Sequence, residues 1–217
     1  MNCITHRNKY LVAAKIMVSN ETIGHKCKKR KRNLLFYVGN VNGMPYFCRC
    51  FSQNSIKRME YNLATCTTEA VELLKELIGI ASISRDETEA ADCLQQYIEK
   101  QGISTHRKGN NVWCLSPNFD TNKPTLLLNS HIDTVKPVQG WQRNPFCATQ
   151  EGDHLYGLGS NDAGASVVCL LQAFMQLSRN NQSYNLIYLA SCEEEASGKG
   201  GIESGLPRLP PSSVALV

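Results

Sequence analysis

Three short stretches of this chain hold residue types that do chemistry. His131-Ile132-Asp133 ends an apolar run, Asp162 sits among Gly157, Gly159 and Gly164, and Cys192-Glu193-Glu194-Glu195 follows the apolar Leu186–Ala190. Alternation along a strand puts His131 and Asp133 on one face, and a carboxylate beside an imidazole is the usual way a metal-bound histidine is oriented. Asp162 precedes an apolar helix, whose start favours a negative charge, and the glycines around it allow close backbone approach. No Gly-Lys-Ser/Thr follows, which argues against a phosphate loop. Carboxylates about 4 Å apart repel by roughly 4 kcal/mol at an effective dielectric near 20. If these acids share a cleft, bound cations relieve that repulsion most economically. Imidazole with carboxylates suits Zn²⁺, and a shared aspartate can bridge two ions about 3.5–4 Å apart. Taken singly, each group also has an ordinary reading: a histidine at a strand end, an aspartate near an N-cap, a solvated acidic loop.

The elements around these groups read as alternating helices and strands. Helical spacing of Val71, Leu74, Leu77 and Ile78 predicts a helix from Thr68, with Glu69 in its first turn. Ser84-Arg85-Asp86-Glu87 reads as a capping box opening a second helix with the stripe Ala90, Ala91, Leu94, Tyr97 and Ile98, stopped by Gly102. Strands are expected near 103–107 and 111–116 around a Gly109-Asn110 turn, and at 125–133, where Leu126-Leu127-Leu128 suits a strand covered on both faces. Ala163 to Ser178 reads as a buried helix and Asn185 to Ser191 as another strand. This pattern predicts an α/β layered domain with a largely parallel sheet. Ligands in such sheets sit beyond the carboxyl ends of strands, where residues 131–133, 160–162 and 193–195 fall.

Charge divides the chain. The net +4 over 217 residues combines a basic segment 1–58, whose single acid is Glu21, with an acidic remainder. The basic run 25–32 could serve nucleic-acid binding or act as an address, but it lacks interleaved aromatic residues, and no nucleic-acid partner is expected. Segment 1–58 reads as a disordered or spuriously translated extension, with the domain beginning at Met59 and running over 59–217. A zinc site from His25, Cys27, Cys48 and Cys50 is the sharper alternative, although that spacing matches no common finger. No apolar run reaches the roughly 18–20 residues of a membrane span. The ten scattered cysteines read as reduced thiols of an intracellular, cytoplasmic protein.

The stretches LLLNSHIDTV, HLYGLGSNDAGA and LASCEEE, in this order and spacing, resemble the acetylornithine deacetylase and succinyl-diaminopimelate desuccinylase group. That group belongs to the aminoacylase and carboxypeptidase family of co-catalytic zinc hydrolases. The likeness covers roughly 60–217, and the ESGLPRLP stretch is most similar to acetylornithine deacetylase-like members. It implies a three-layer α/β/α zinc-exopeptidase-like catalytic domain with a mainly parallel mixed sheet, incomplete at its C-terminus. It implies two Zn²⁺ per complete site, with Co²⁺ as a possible substitute. His131 would bind one ion, Asp162 would bridge both, and Glu194 would bind the other. Asp133 would orient His131, and Glu193 would be the general base; Glu195 has no role in the pattern and reads as a solvated loop acid.

The implied reaction is hydrolysis of the amide bond of an N-acylated amino acid, foremost N-acetyl-L-ornithine in arginine biosynthesis. A succinyl-diaminopimelate desuccinylase or a metallodipeptidase is the alternative within that class. An inactive fragment, or a nucleic-acid adaptor using the basic arm, is the alternative outside it. The family pattern also has a further acidic ligand in a Gly-Glu-Pro segment, a C-terminal zinc-binding histidine and a lid and dimerisation domain, none of them within these 217 residues. The expectation is therefore a part of a homodimeric enzyme, with the isolated chain inactive and prone to aggregate at an unpaired sheet edge.

Overall fold

The apolar spacing around Val71 and Leu74 folds as helix α1 (Leu63–Ile78), which buries Ala70, Val71, Leu73, Leu74 and Ile78. It begins earlier than its periodicity predicted, so Glu69 lies beyond the first turn, which holds no acid. Helix α2 (Thr88–Lys100) buries Ala90, Ala91, Leu94 and Ile98. Gly102 ends it at φ +77°, a left-handed conformation that glycine adopts without a Cβ penalty. The expected capping box is not formed: Glu87 occupies the N-cap, and no side chain caps the helix. This computed structural model describes residues 63–217 and three strands before them, 3–5, 36–41 and 44–49. The rest of the basic arm, and the side chains of His25, Cys27, Cys48 and Cys50, lie outside the described residues.

Strands β1 (Cys3–Thr5), β2 (Phe36–Val41) and β3 (Met44–Arg49) belong to that early segment. β2 and β3 pair as an antiparallel hairpin. The remaining strands are β4 (Thr105–Lys108), β5 (Asn111–Leu115), β6 (Thr125–His131), β7 (Thr149–Glu151), β8 (His154–Tyr156), β9 (Asn185–Ser191) and β10 (Val214–Leu216). β1 pairs antiparallel with β8, and β8 with β7. The other five form one sheet in the order β10-β6-β9-β5-β4. β10, β6 and β9 run parallel. β5 and β4 run antiparallel, because the tight Gly109-Asn110 turn can only return the chain alongside itself. The sheet is mixed, as expected, with its antiparallel pairings gathered at one end.

Helix α3 (Ala165–Ser178) packs against β6, β9 and α1. Its fully buried Val167, Val168, Leu171 and Phe174 join residues of α1, α2, β5, β6 and β9 in the main core. Burying a side chain of this size contributes roughly 1.5–3 kcal/mol. A second core on the opposite sheet face gathers Trp113, Leu127, Ile187 and Leu189. Ile202 from the short helix α4 (Ile202–Gly205), Phe119 and Leu209 cover it. β9 is consequently buried along its whole length, as befits a strand covered on both faces.

The register between β6 and β9 sets where the chemistry-bearing residues emerge. The two strands pair in step from Thr125 with Asn185 to His131 with Ser191. Their carboxyl ends therefore finish level, and both chains leave the sheet at the same edge.

Candidate metal centre

Beyond β6 the chain stays tied to its neighbours: the Ile132 N–H donates to the Ser191 carbonyl and the Thr134 N–H to the Ser82 carbonyl, each at 2.8 Å. Asp133 is fully buried between them. Nδ1 of His131 lies 3.1 Å from the Asp133 carbonyl oxygen and 3.4 Å from its Oδ1. That partner favours the proton on Nδ1 and turns the other ring nitrogen outward. Nε2 lies 3.2 Å from Oδ1 of Asp162 and 3.8 Å from Oε2 of Glu194.

Asp162 reaches His131 from the tight turn Ser160–Gly164 that leads into α3. Two glycines make the turn possible. Gly159 has φ +72°, and a Cβ there would stand 2.6 Å from Cγ2 of Thr134. A Cβ on Gly164 would stand 2.7 Å from the Gly159 carbonyl oxygen, which accepts the Gly164 N–H at 2.9 Å. The glycine spacing in the sequence thus corresponds to real close approaches around the carboxylate.

The acidic triplet leaves β9 in a turn, with Glu193 at φ +54°. Strand alternation stops there, and the three carboxylates separate. Glu193 folds back over the glycine-rich stretch, its Oε2 accepting the Gly200 N–H at 3.2 Å. A Cβ on Gly198 or Gly200 would collide with its carboxylate, which could then no longer rest there. Glu194 stands exposed beside His131. Glu195 joins His131 and Asp162, and one potential ligand atom from each of the three lies within 4.8 Å of the others.

Among the sequence-derived candidates, then, the structure brings together His131, Asp133, Asp162 and Glu194, and directs the carboxylate of Glu193 elsewhere. Glu195, read as a solvated loop acid, is part of the cluster. Nothing in three consecutive glutamates tells which one faces inward; the left-handed residue at their head decides it.

The electrostatics follow from this packing. Burial alone would lower the pKa of His131, but the hydrogen bond and charge of Asp133, with the charge of Glu194, outweigh it and raise the value to about 9. Burial pushes Asp133 up, whereas His131 and the N–H groups of Glu195 and Glu194 hold it, on balance, below the usual carboxylate range. Glu195 is shifted upward by burial and by the charges of Asp162 and Glu194, against the pull of His131. A cluster with one imidazole nitrogen and two carboxylates in mutual reach, its imidazole already oriented, fits a divalent cation such as Zn²⁺ in donor chemistry.

Residues 127–211 match peptidase family M20/M25/M40. The chain is 30% identical over 144 residues to a succinyl-diaminopimelate desuccinylase from Orientia tsutsugamushi, covering 63% of this chain and 37% of that protein. An enzyme of the same name from Rickettsia massiliae is 26% identical over 147 residues, covering 63% and 39%. The chain thus spans under two fifths of the length of these curated relatives. Among solved structures, an M20 family metallo-carboxypeptidase from Sulfolobus solfataricus superposes with a TM-score of 0.56 at 26% identity, over 68% of this chain and 36% of the other. A dinuclear metal binding peptidase of the M20 family from Bacillus subtilis gives 0.52 at 17% identity, over 70% and 42%, a likeness of fold. No helix among the described residues is long and apolar enough to cross a membrane. Over residues 127–211, the stretch that carries His131, Asp162 and the acidic triplet, the chain is therefore similar to peptidase family M20/M25/M40.

Proposed function

We propose that this site hydrolyses the amide bond of an N-acylated amino acid with divalent metal ions as cofactors. The observation that carries the reading is the convergence of His131, Asp162 and Glu195 from three separate segments. His131, Asp162 and Glu195 would hold the metal, with Glu194 beside them. Zn²⁺ suits these donors, and Co²⁺ is a workable substitute. When bound, such an ion acidifies water and polarises a carbonyl. The chain's own part is to orient and to move protons. Asp133 fixes the ring of His131. For the acid that takes a proton from the attacking water and returns it to the leaving amine we favour Glu194 over Glu193. In support, Glu193 is engaged by the Gly200 N–H, whereas Oε2 of Glu194 is 3.8 Å from Nε2 of His131.

For the substrate, the likeness of the ESGLPRLP stretch supports N-acetyl-L-ornithine, within a homodimeric cytoplasmic enzyme. The names of the relatives from Orientia and Rickettsia favour a second reading, N-succinyl-diaminopimelate. The full-length protein, loaded with Zn²⁺ or Co²⁺, is to be assayed on both compounds and on a dipeptide. The proposal expects hydrolysis of one acyl compound, its loss in Asp162→Asn, and a fall of at least about 10²-fold in kcat for Glu194→Gln against a lesser one for Glu193→Gln. Hydrolysis that persists in Asp162→Asn, or after removal of all metal, would overturn it.

A further inference from the structure

Glu87 is a carboxylate with no exposed surface, and neither the cluster nor the core accounts for it. Its Oε1 accepts the Arg85 N–H at 2.6 Å and the Glu193 N–H at 3.1 Å, and its Oε2 accepts Nδ2 of Asn110 at 3.0 Å. Asn110 in turn accepts from Nη2 of Arg107 at 3.2 Å, so a guanidinium stands one side chain behind the buried charge. The bond to Glu193 crosses 106 residues of sequence and ends on the backbone that heads the acidic turn.

The neighbouring amides are held in the same manner. Oδ1 of the buried Asn111 accepts the Cys192 N–H at 3.3 Å. The two carboxylate oxygens of Asp133 accept the N–H groups of Glu194 at 3.1 Å and Glu195 at 3.0 Å. Four consecutive N–H groups, 192 to 195, therefore each end on a buried side-chain oxygen, from β5, the start of α2 and the exit of β6. A loop after a strand ordinarily leaves such groups to water or to local turns. Here the segment whose side chains must be aimed is fixed through its backbone from three sides.

We propose that Glu87 is a positioning residue. By holding the Glu193 N–H it keeps residue 193 in its left-handed conformation, which sends Glu194 and Glu195 toward His131 and Asp162. Glu87 touches neither substrate nor ion; it acts through the backbone of the triplet. The proposal rests on the hydrolase reading only for its kinetic consequence.

The test uses the full-length protein with Glu87→Ala, Glu87→Gln and the double variant Glu87→Gln/Asn110→Asp. In Glu87→Gln the new amide faces the Asn110 amide, donor against donor; in the double variant the charge moves to position 110, where both Arg107 and the glutamine can donate to it. Amide hydrogen exchange at 193–195, relative to the core strand β9, should speed by roughly tenfold or more in Glu87→Ala, less in Glu87→Gln, and return toward the parent in the double variant. In the same proteins kcat should fall by about tenfold or more with KM within about threefold, and recover in the double variant. Unchanged exchange at 193–195 in both single variants would overturn the proposal. So would a lowered Tm with unchanged kcat per folded molecule, which is the signature of a merely structural carboxylate. Should the parent hydrolyse none of the substrates, the functional reading fails, and the exchange measurement alone decides the role of Glu87.

Discussion

Replacing Asp133 with asparagine removes the charge on which both the imidazole and the acidic turn depend. The carboxylate accepts two N–H groups, of Glu194 and Glu195, and both bonds end on a carboxyl with no exposed surface. Asparagine keeps one oxygen and turns an NH₂ toward the other N–H. One bond to a charged acceptor, worth about 1.5–3 kcal/mol, is lost, and a donor is left facing a donor. An independent figure comes from His131. Its rise from 6.5 to about 9, against the effect of burial and owed chiefly to Asp133, corresponds to about 3 kcal/mol of favourable interaction with the charged ring. The two losses fall on different partners of the same carboxylate, so Asp133→Asn should destabilise by at least about 2 kcal/mol at pH 6.

The pH window comes from the directions of the shifts. A raised histidine contributes fully below 6.5 and loses its contribution as pH rises through about 9. A depressed aspartate contributes above 3.8 and loses its contribution as pH falls through its lower folded value. The parent's advantage over Asp133→Asn should therefore be greatest between these limits and shrink toward pH 9. Urea unfolding of the metal-free proteins at pH 6 and pH 9 measures it, with NMR titration of His131 alongside. A difference under about 0.5 kcal/mol at pH 6, or a His131 that still titrates near 9 in the variant, would refute the reasoning.

Two further outcomes are expected from the same geometry. Gly159→Ala combines a left-handed φ with a Cβ 2.6 Å from Thr134 and should cost about 2–4 kcal/mol in urea unfolding. Gly152→Ala, at φ +57° but in open space, should cost only about 1 kcal/mol, and equal losses at the two sites would deny the close packing around the Asp162 turn. Because His131 keeps its proton up to about 9, Zn²⁺ must displace it, so affinity measured by calorimetry should fall by about tenfold per pH unit on going down from pH 9. Affinity flat between pH 7 and 9 would contradict that competition.

Periodicity and apolar runs were enough to locate α1, α2, α3, β6 and β9, because each buries a face whose spacing the residues display. They also placed His131 and the acidic triplet at the ends of β6 and β9, although β6 stops at His131 where the apolar run suggested Asp133, and Asp162 was marked by the glycines before α3. What spacing could not supply is direction. The left-handed Glu193 reverses the alternation that a strand reader extrapolates, so the inward acid of the triplet was not legible. Glu87 was misread for a related reason: a glutamate three residues after a serine matches a local capping pattern, while its partners Asn110 and Glu193 lie 23 and 106 residues away. Long-range hydrogen bonds to backbone leave no periodic trace. The antiparallel end of the sheet was readable only as a turn, since a Gly-Asn pair reveals the hairpin but not which strand β5 will join.

The most direct test is to soak or co-crystallise the full-length protein with Zn²⁺ and record anomalous scattering at the zinc edge. The account predicts a peak bonded to Nε2 of His131 and to the Asp162 carboxylate at about 2.0–2.2 Å, with Glu195 completing the protein donors around the shared ions. A zinc site elsewhere in the domain, or density at this site that survives unchanged in Asp162→Asn, would contradict it.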